Sequence, residues 1–167
     1  VYNDDADAPH SLSYGLHDFL NLSIDRFIGT QVEALFWNII ASDVLLYPTK
    51  VGEMVGSRGQ AFESAEYFLW FQKLLAIMDE RPDYLQAMAD RARAIGLEFF
   101  PSLRMNDCHD SPAWKAMDTY SQYRKEHPEL LLGDAVHPVF STGFNFAFPE
   151  VRERRFRIVE ELITQYH

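Results

Sequence analysis

A chain of 167 residues is long enough for one domain, and 47% hydrophobic with 24% charged residues is the balance of an ordinary globular protein. Its 15 basic and 25 acidic side chains give a net charge of −10, a field that repels phosphate backbones and disfavours nucleic acid as a partner. The single cysteine, Cys108, excludes an internal disulfide and a cysteine-based zinc site, and no apolar run approaches bilayer-crossing length, so no membrane partner is expected.

Val1, Tyr2 and Asn3 read as the end of a strand, stopped by the acidic run that begins at Asp4 and Asp5. The pattern over 16–28 predicts an amphipathic helix, with Phe19, Leu20, Ile24, Phe27 and Ile28 at helical spacing and Gly29 as its stop. A second strand is predicted over 32–37. A long loop follows from 41 to 59, carrying Gly52, Gly56 and Gly59, and loops of that length are often functional. The stretch 62–78 predicts a helix apolar on more than one side, which argues for burial between neighbours. Pro82 opens a further helix that Gly96 ends.

The third strand, over 97–104, alternates. Leu97, Phe99, Leu103 and Met105 share one face; Glu98, Ser102, Arg104 and Asn106 share the other. Pro101 lacks a ladder donor, which predicts a bulge or kink. Pro112 and Pro149 each open another helix. In the last one Val151, Phe156, Val159, Leu162, Ile163 and Tyr166 lie on one side. There Arg152, Arg154, Arg155 and Arg157, interleaved with glutamates, read as a solvated face with i,i+4 pairing.

Strands alternating with helices, without tight hairpin turns, predict parallel strands and right-handed crossovers. The expected fold is α/β: a partial (β/α)8, TIM-like barrel comprising the first three βα units. Residues 1–167 would form the N-terminal part of a single domain, truncated at both ends, with polar strand faces lining the barrel mouth.

Strand C-termini hold the sites of such folds, and two polar clusters fall there. One is Asn3, Asp4 and Asp5. The other runs from Arg104 through Asn106, Asp107 and His109 to Asp110, joining a cation, an amide, carboxylates and an imidazole in one turn. That set suits hydroxyl binding or proton transfer, with Arg104 or His109 favouring an ionised Asp107 if close in space. The structural alternative makes Asp107 or Asp110 a helix cap and Arg104 half of an ion pair. Trp37, Phe100 and Trp114 are candidates for stacking on sugar rings, Trp37 foremost. No metal-ligand spacing, phosphate-binding glycine loop or nucleophile elbow is recognisable, so neither a metal nor a cofactor is expected.

These residues carry a resemblance. Tyr2 to Asp5, Gly29 to Val32, Pro48 to Glu53, Ser102 to Asp107 with His109 and Asp110, a Lys-Glu-His-Pro-Glu segment at 125–129, and Pro149 to Arg152 together resemble a group of uncharacterised bacterial (β/α)8-barrel proteins described as glycoside-hydrolase-like. Two positions depart from its pattern: Ala6 stands where the group often has glycine, and Leu130 where it often has an aromatic residue. The resemblance implies that residues 1–3 are the tail of barrel strand one. It also implies that an acidic strand end beyond His167 supplies further carboxylates. The expected function is a carbohydrate-active hydrolase acting on an oligosaccharide or glycan. Asp107 and Asp5 would be its catalytic carboxylates; Asn3, Asp4, Trp37, Arg104, Asn106 and His109 would bind substrate. The chain would need the remaining barrel of its parent as a partner and would be inactive alone. A non-catalytic carbohydrate-binding or scaffold barrel is the first alternative, and a metal-dependent hydrolase on the same framework the second.

Overall fold

The computed structural model describes residues 15–58, 64–108, 119–133 and 140–166, together with the backbone of residues 2 and 3. Five α-helices and two small sheets make up the described fold. Strands β1 (Tyr2–Asn3), β2 (Ala34–Asn38) and β5 (Glu98–Ser102) form a parallel sheet in the order β1-β2-β5. Strands β3 (Ile40–Ala41) and β4 (Val44–Leu45) form an antiparallel hairpin. Helices α1 (Leu16–Ser23), α2 (Ala65–Glu80), α3 (Tyr84–Ala94), α4 (Gln122–Glu126) and α5 (Pro149–Gln165) complete the set.

The expected partial barrel is not what forms: the fold is mixed α/β, and three regular βα units are absent among the described residues. One local cause is visible. Beyond β2 the chain turns back into the β3–β4 hairpin instead of running into a helix, and two helices then follow in succession. Among the described residues β5 is paired along one edge only. Glu98 N donates to the Glu33 carbonyl and Ile39 N to the Ser102 carbonyl, so residues 98, 100 and 102 turn their backbone groups toward β2. Pro101 therefore turns its missing donor away from β2, where it interrupts no ladder among the described residues. The expected bulge is not needed, and the register from Ala34↔Glu98 to Asn38↔Ser102 is unbroken.

The 41–59 region is less of a loop than its composition implies. Val44, Leu45, Leu46 and Tyr47 are fully buried or nearly so, and Leu45 bridges to Met54. The two-residue hairpin turn is Ser42–Asp43, with Ser42 at φ 57, a left-handed conformation unusual for a side chain other than Asn or Asp.

The core lies under β2 and the hairpin. Phe19 meets Trp37 edge-on at 5.5 Å and Tyr84 at 5.8 Å, and the Tyr84 hydroxyl donates to the Leu46 carbonyl at 2.6 Å. Ser64 caps α2 by accepting from Tyr67 N. Only one face of α2 is buried (Phe71, Leu74, Ile77 and Met78), while Tyr67, Phe68 and Leu69 are exposed, contrary to the burial on several sides expected. Helix α1 is shorter than predicted and runs into a 3-10 turn, Asp25–Phe27; Gly29 follows at φ 75.

Helix α5 buries a different stripe from the one its apolar residues suggest. Val151, Arg155, Ile158, Glu161 and Leu162 face inward, whereas Phe156 and Ile163 are exposed. The Glu161 carboxylate accepts from the Tyr47 hydroxyl at 2.9 Å, the Thr49 hydroxyl at 2.6 Å and Lys50 N at 2.6 Å, clamping the Pro48–Glu53 motif onto the helix. Burial, with Glu161 beside it, pushes the Tyr47 phenol well above the ordinary tyrosine range. Glu161→Gln turns an amide donor toward at least one of these donors and is expected to cost about 2 kcal/mol, read by urea unfolding. A variant as stable as the wild type would show that the clamp contributes nothing.

Candidate functional site

The β2 and β5 chains leave the parallel sheet at the same end, and charged side chains gather around the two segments that follow. The first is the Ser42–Asp43 turn. Asp43 is completely buried: one carboxylate oxygen lies 2.8 Å from Arg155 Nη2, and the other accepts from the Ser121 hydroxyl at 2.5 Å and from Arg154 Nη2 at 3.1 Å. Desolvation alone would raise its pKa. The guanidiniums of Arg155, Arg154 and Arg124 and the Ser121 hydrogen bond overcome that and hold the carboxyl below its ordinary value.

The second segment follows β5, and three of its consecutive residues are pinned from elsewhere. Arg155 Nε donates to the Met105 carbonyl at 3.0 Å. The Asn106 side chain makes both bonds to the Phe144 backbone, donating to its carbonyl at 3.0 Å and accepting from its N–H at 2.7 Å. Arg124 Nη2 donates to the Asp107 carbonyl at 2.6 Å, while its Nη1 donates to the Ser42 hydroxyl at 2.8 Å. The Asp107 carboxylate accepts from Arg104 Nη1 at 3.3 Å; its side chain is 3% exposed and that of Arg104 29%.

Three guanidiniums around one carboxylate would repel, and aromatic rings answer part of that. Arg124 and Arg155 both lie against Phe144, at 5.0 and 5.3 Å from its centroid, and Arg154 lies 4.4 Å from the Tyr123 ring. Burial nevertheless pulls Arg124 below the ordinary arginine value, with Asp43 opposing that shift and Arg155 adding to it.

Among the anticipated site residues, Arg104, Asn106 and Asp107 meet in this cluster. Asn106 is committed to Phe144, so its role here is to hold backbone. Trp37 is 3% exposed and packed in the core, with no face left for a sugar ring. Phe100 is exposed but stacked on Phe36 at 5.0 Å. Asn3 pairs in register with Trp37 at the end of β1. Asp4, Asp5, His109, Asp110 and Trp114 lie outside the described residues.

Sequence reading missed Asp43, Ser121, Arg124 and Phe144, and it assigned Arg154 and Arg155 to a solvated face. Arg157–Glu153 does behave as the expected exposed i,i+4 pair. A signal for Arg155 existed: it shares the 151, 155, 158, 162 stripe with three apolar residues. Nothing comparable marked Arg124.

No protein-family model matches the chain, and no curated protein matches it. Any functional reading therefore stands on the site's chemistry. Among the described residues no group of His, Cys, Asp and Glu could hold a metal ion, and no helix is long and apolar enough to cross a membrane. What the cluster offers is a buried carboxylate beside a partly exposed guanidinium, both set on a braced turn. Through the partly exposed guanidinium, such a pair can donate charge-assisted hydrogen bonds to neighbouring hydroxyls. Asp43, with both oxygens engaged by arginine and serine, is unsuited to proton transfer.

Proposed function

We propose that the chain carries a carbohydrate-recognition site at the C-terminal end of its parallel sheet and belongs to a carbohydrate-active hydrolase. The observation that carries this reading is the Arg104–Asp107 pair, placed where β5 leaves the sheet, the end at which open parallel sheets bind ligands. Arg104 donates to the sugar hydroxyls, and Asp107, almost wholly buried beside it, orients its guanidinium. Hydrolysis needs a second carboxylate across the scissile bond. Asp5 is the candidate that the sequence resemblance supplies, and Asp43 is not available for it.

One observation favours a second reading, a non-catalytic carbohydrate-binding protein: Asp107 is almost wholly buried and already ion-paired, which suits a residue that orients Arg104 better than a nucleophile. Asp107→Asn separates the two. The substitution is expected to keep the melting temperature within a few degrees and to weaken binding to a panel of neutral oligosaccharides about tenfold or more. Turnover lost by about a hundredfold with binding intact would favour the hydrolase over the binding protein. Unchanged binding and turnover would remove Asp107 from the site altogether.

A further inference from the structure

We propose that Arg124 is the positioning residue of this site, holding Asp107 in place through its backbone carbonyl; the inference rests on the carbohydrate-site reading for its functional consequence only. Arg124 is fully buried and is held at both ends. Its backbone N–H donates to the Ser121 hydroxyl at 3.1 Å, and that hydroxyl in turn donates to Asp43. Its guanidinium spans the two segments that follow the parallel strands, with one nitrogen on the Ser42 hydroxyl and the other on the Asp107 carbonyl. The ring below it belongs to Phe144, whose backbone is bonded to the side chain of Asn106, the residue before Asp107.

The Asp107 peptide is thus fixed from two directions by a single unit. Displacement of the Asp107 backbone would carry the carboxylate away from Arg104, so the orientation of the Arg104–Asp107 pair depends on Arg124 although Arg124 does not itself meet the ligand. A planar two-pronged guanidinium is required, because the single nitrogen of lysine cannot sit on Ser42 and Asp107 in the same fixed geometry.

Cys108 provides the readout. It is the chain's sole cysteine, adjoins Asp107 in sequence, is half-buried and lies within electrostatic range of Arg124. In the full chain, Arg124→Met and Arg124→Lys are compared with the wild type and with Leu74→Ala, a core substitution on α2 that loosens the fold without touching the turn. Iodoacetamide labelling of Cys108 is followed at one pH, well below each variant's melting temperature. Binding to a printed array of neutral oligosaccharides is measured alongside. Both Arg124 variants are expected to label about tenfold faster than the wild type, and Leu74→Ala at close to the wild-type rate. Array binding should fall with Arg124→Lys even though the charge is kept. Should Arg124→Met fail to fold, the lysine variant alone decides. Wild-type labelling in Arg124→Lys, or equal acceleration in Leu74→Ala, overturns the proposal. Array binding that Asp107→Asn leaves unchanged would defeat the carbohydrate reading, while the Cys108 rates would still judge whether Arg124 places the turn.

Discussion

Asp43→Ala is expected to lower unfolding stability at neutral pH by about 3–5 kcal/mol, a large fraction of what a domain of this size possesses. The argument is electrostatic. Asp43 is the acceptor on which the buried Arg155 and the largely buried Arg154 converge, and it anchors Ser121 at the head of α4. Its removal leaves like charges facing one another in a medium that solvates them poorly. The strained Ser42 turn also loses the contact that holds it beside α5. Asp43→Asn should cost nearly as much, because the amide keeps the volume but not the charge. Urea unfolding of both variants at pH 7 measures this; a loss below about 1 kcal/mol for Asp43→Ala would mean that the arginines relax to solvent freely.

The same ion cluster fixes the direction of acid sensitivity. The folded-state pKa of Asp43 lies below its ordinary value of 3.8. A depressed carboxyl contributes stability that is fully present above the unfolded-state pKa and is lost as pH falls through the folded-state value. The wild type should therefore lose stability in the acid range below about pH 4, and Asp43→Asn should lack that part of the slope. Matching slopes in the two proteins would contradict the assignment.

Phe144 carries the second large effect. It is 1% exposed, and its ring serves two guanidiniums at once. Phe144→Ala is expected to cost about 3–5 kcal/mol from cavity formation and lost transfer energy. Phe144→Leu is the sharper experiment, because it retains most of the apolar volume but removes the ring quadrupole. About 2 kcal/mol or more should still be lost, since desolvated cation–π contacts are the stronger ones. The bonds from Asn106 run to the Phe144 backbone, so both variants leave that brace in place. A double-mutant cycle with Arg155→Met should show a coupling of about 1 kcal/mol. A near-neutral Phe144→Leu would reduce the ring to apolar filler.

Several elements were legible in sequence because their causes are local. Gly96, at φ 78, ends α3 where the pattern stops, and Pro149 starts α5 at its first position. Alternation grouped Leu97, Phe99 and Leu103, all of which pack on the core, but it also grouped Met105 with them, which is exposed. The Arg104–Asp107 pair was within reach for the same reason, three residues apart on one turn. The hairpin was not, because Ser42–Asp43 lacks the glycine or asparagine that usually marks so tight a turn. The barrel expectation failed on a related point. The pattern of the second strand does not announce that the chain folds back into the β3–β4 hairpin after it instead of entering a helix.

The charged centre lay beyond any reading of local pattern. Ser121 reaches Asp43 across 78 residues, Arg124 reaches Ser42 across 82, and Arg154 reaches Asp43 across 111. Periodicity and propensity are set by neighbours a few positions apart, so they place α3, α5 and the third strand along the chain but not the face that each buries. Whether an arginine is solvated or buried against a carboxylate depends on which distant segment folds over it. Burial of Arg155 is tolerable only because Asp43 and Phe144 arrive from other parts of the chain. Helix and strand were therefore decided locally, whereas the identity of the charges that meet beside Asp107 was decided by tertiary packing.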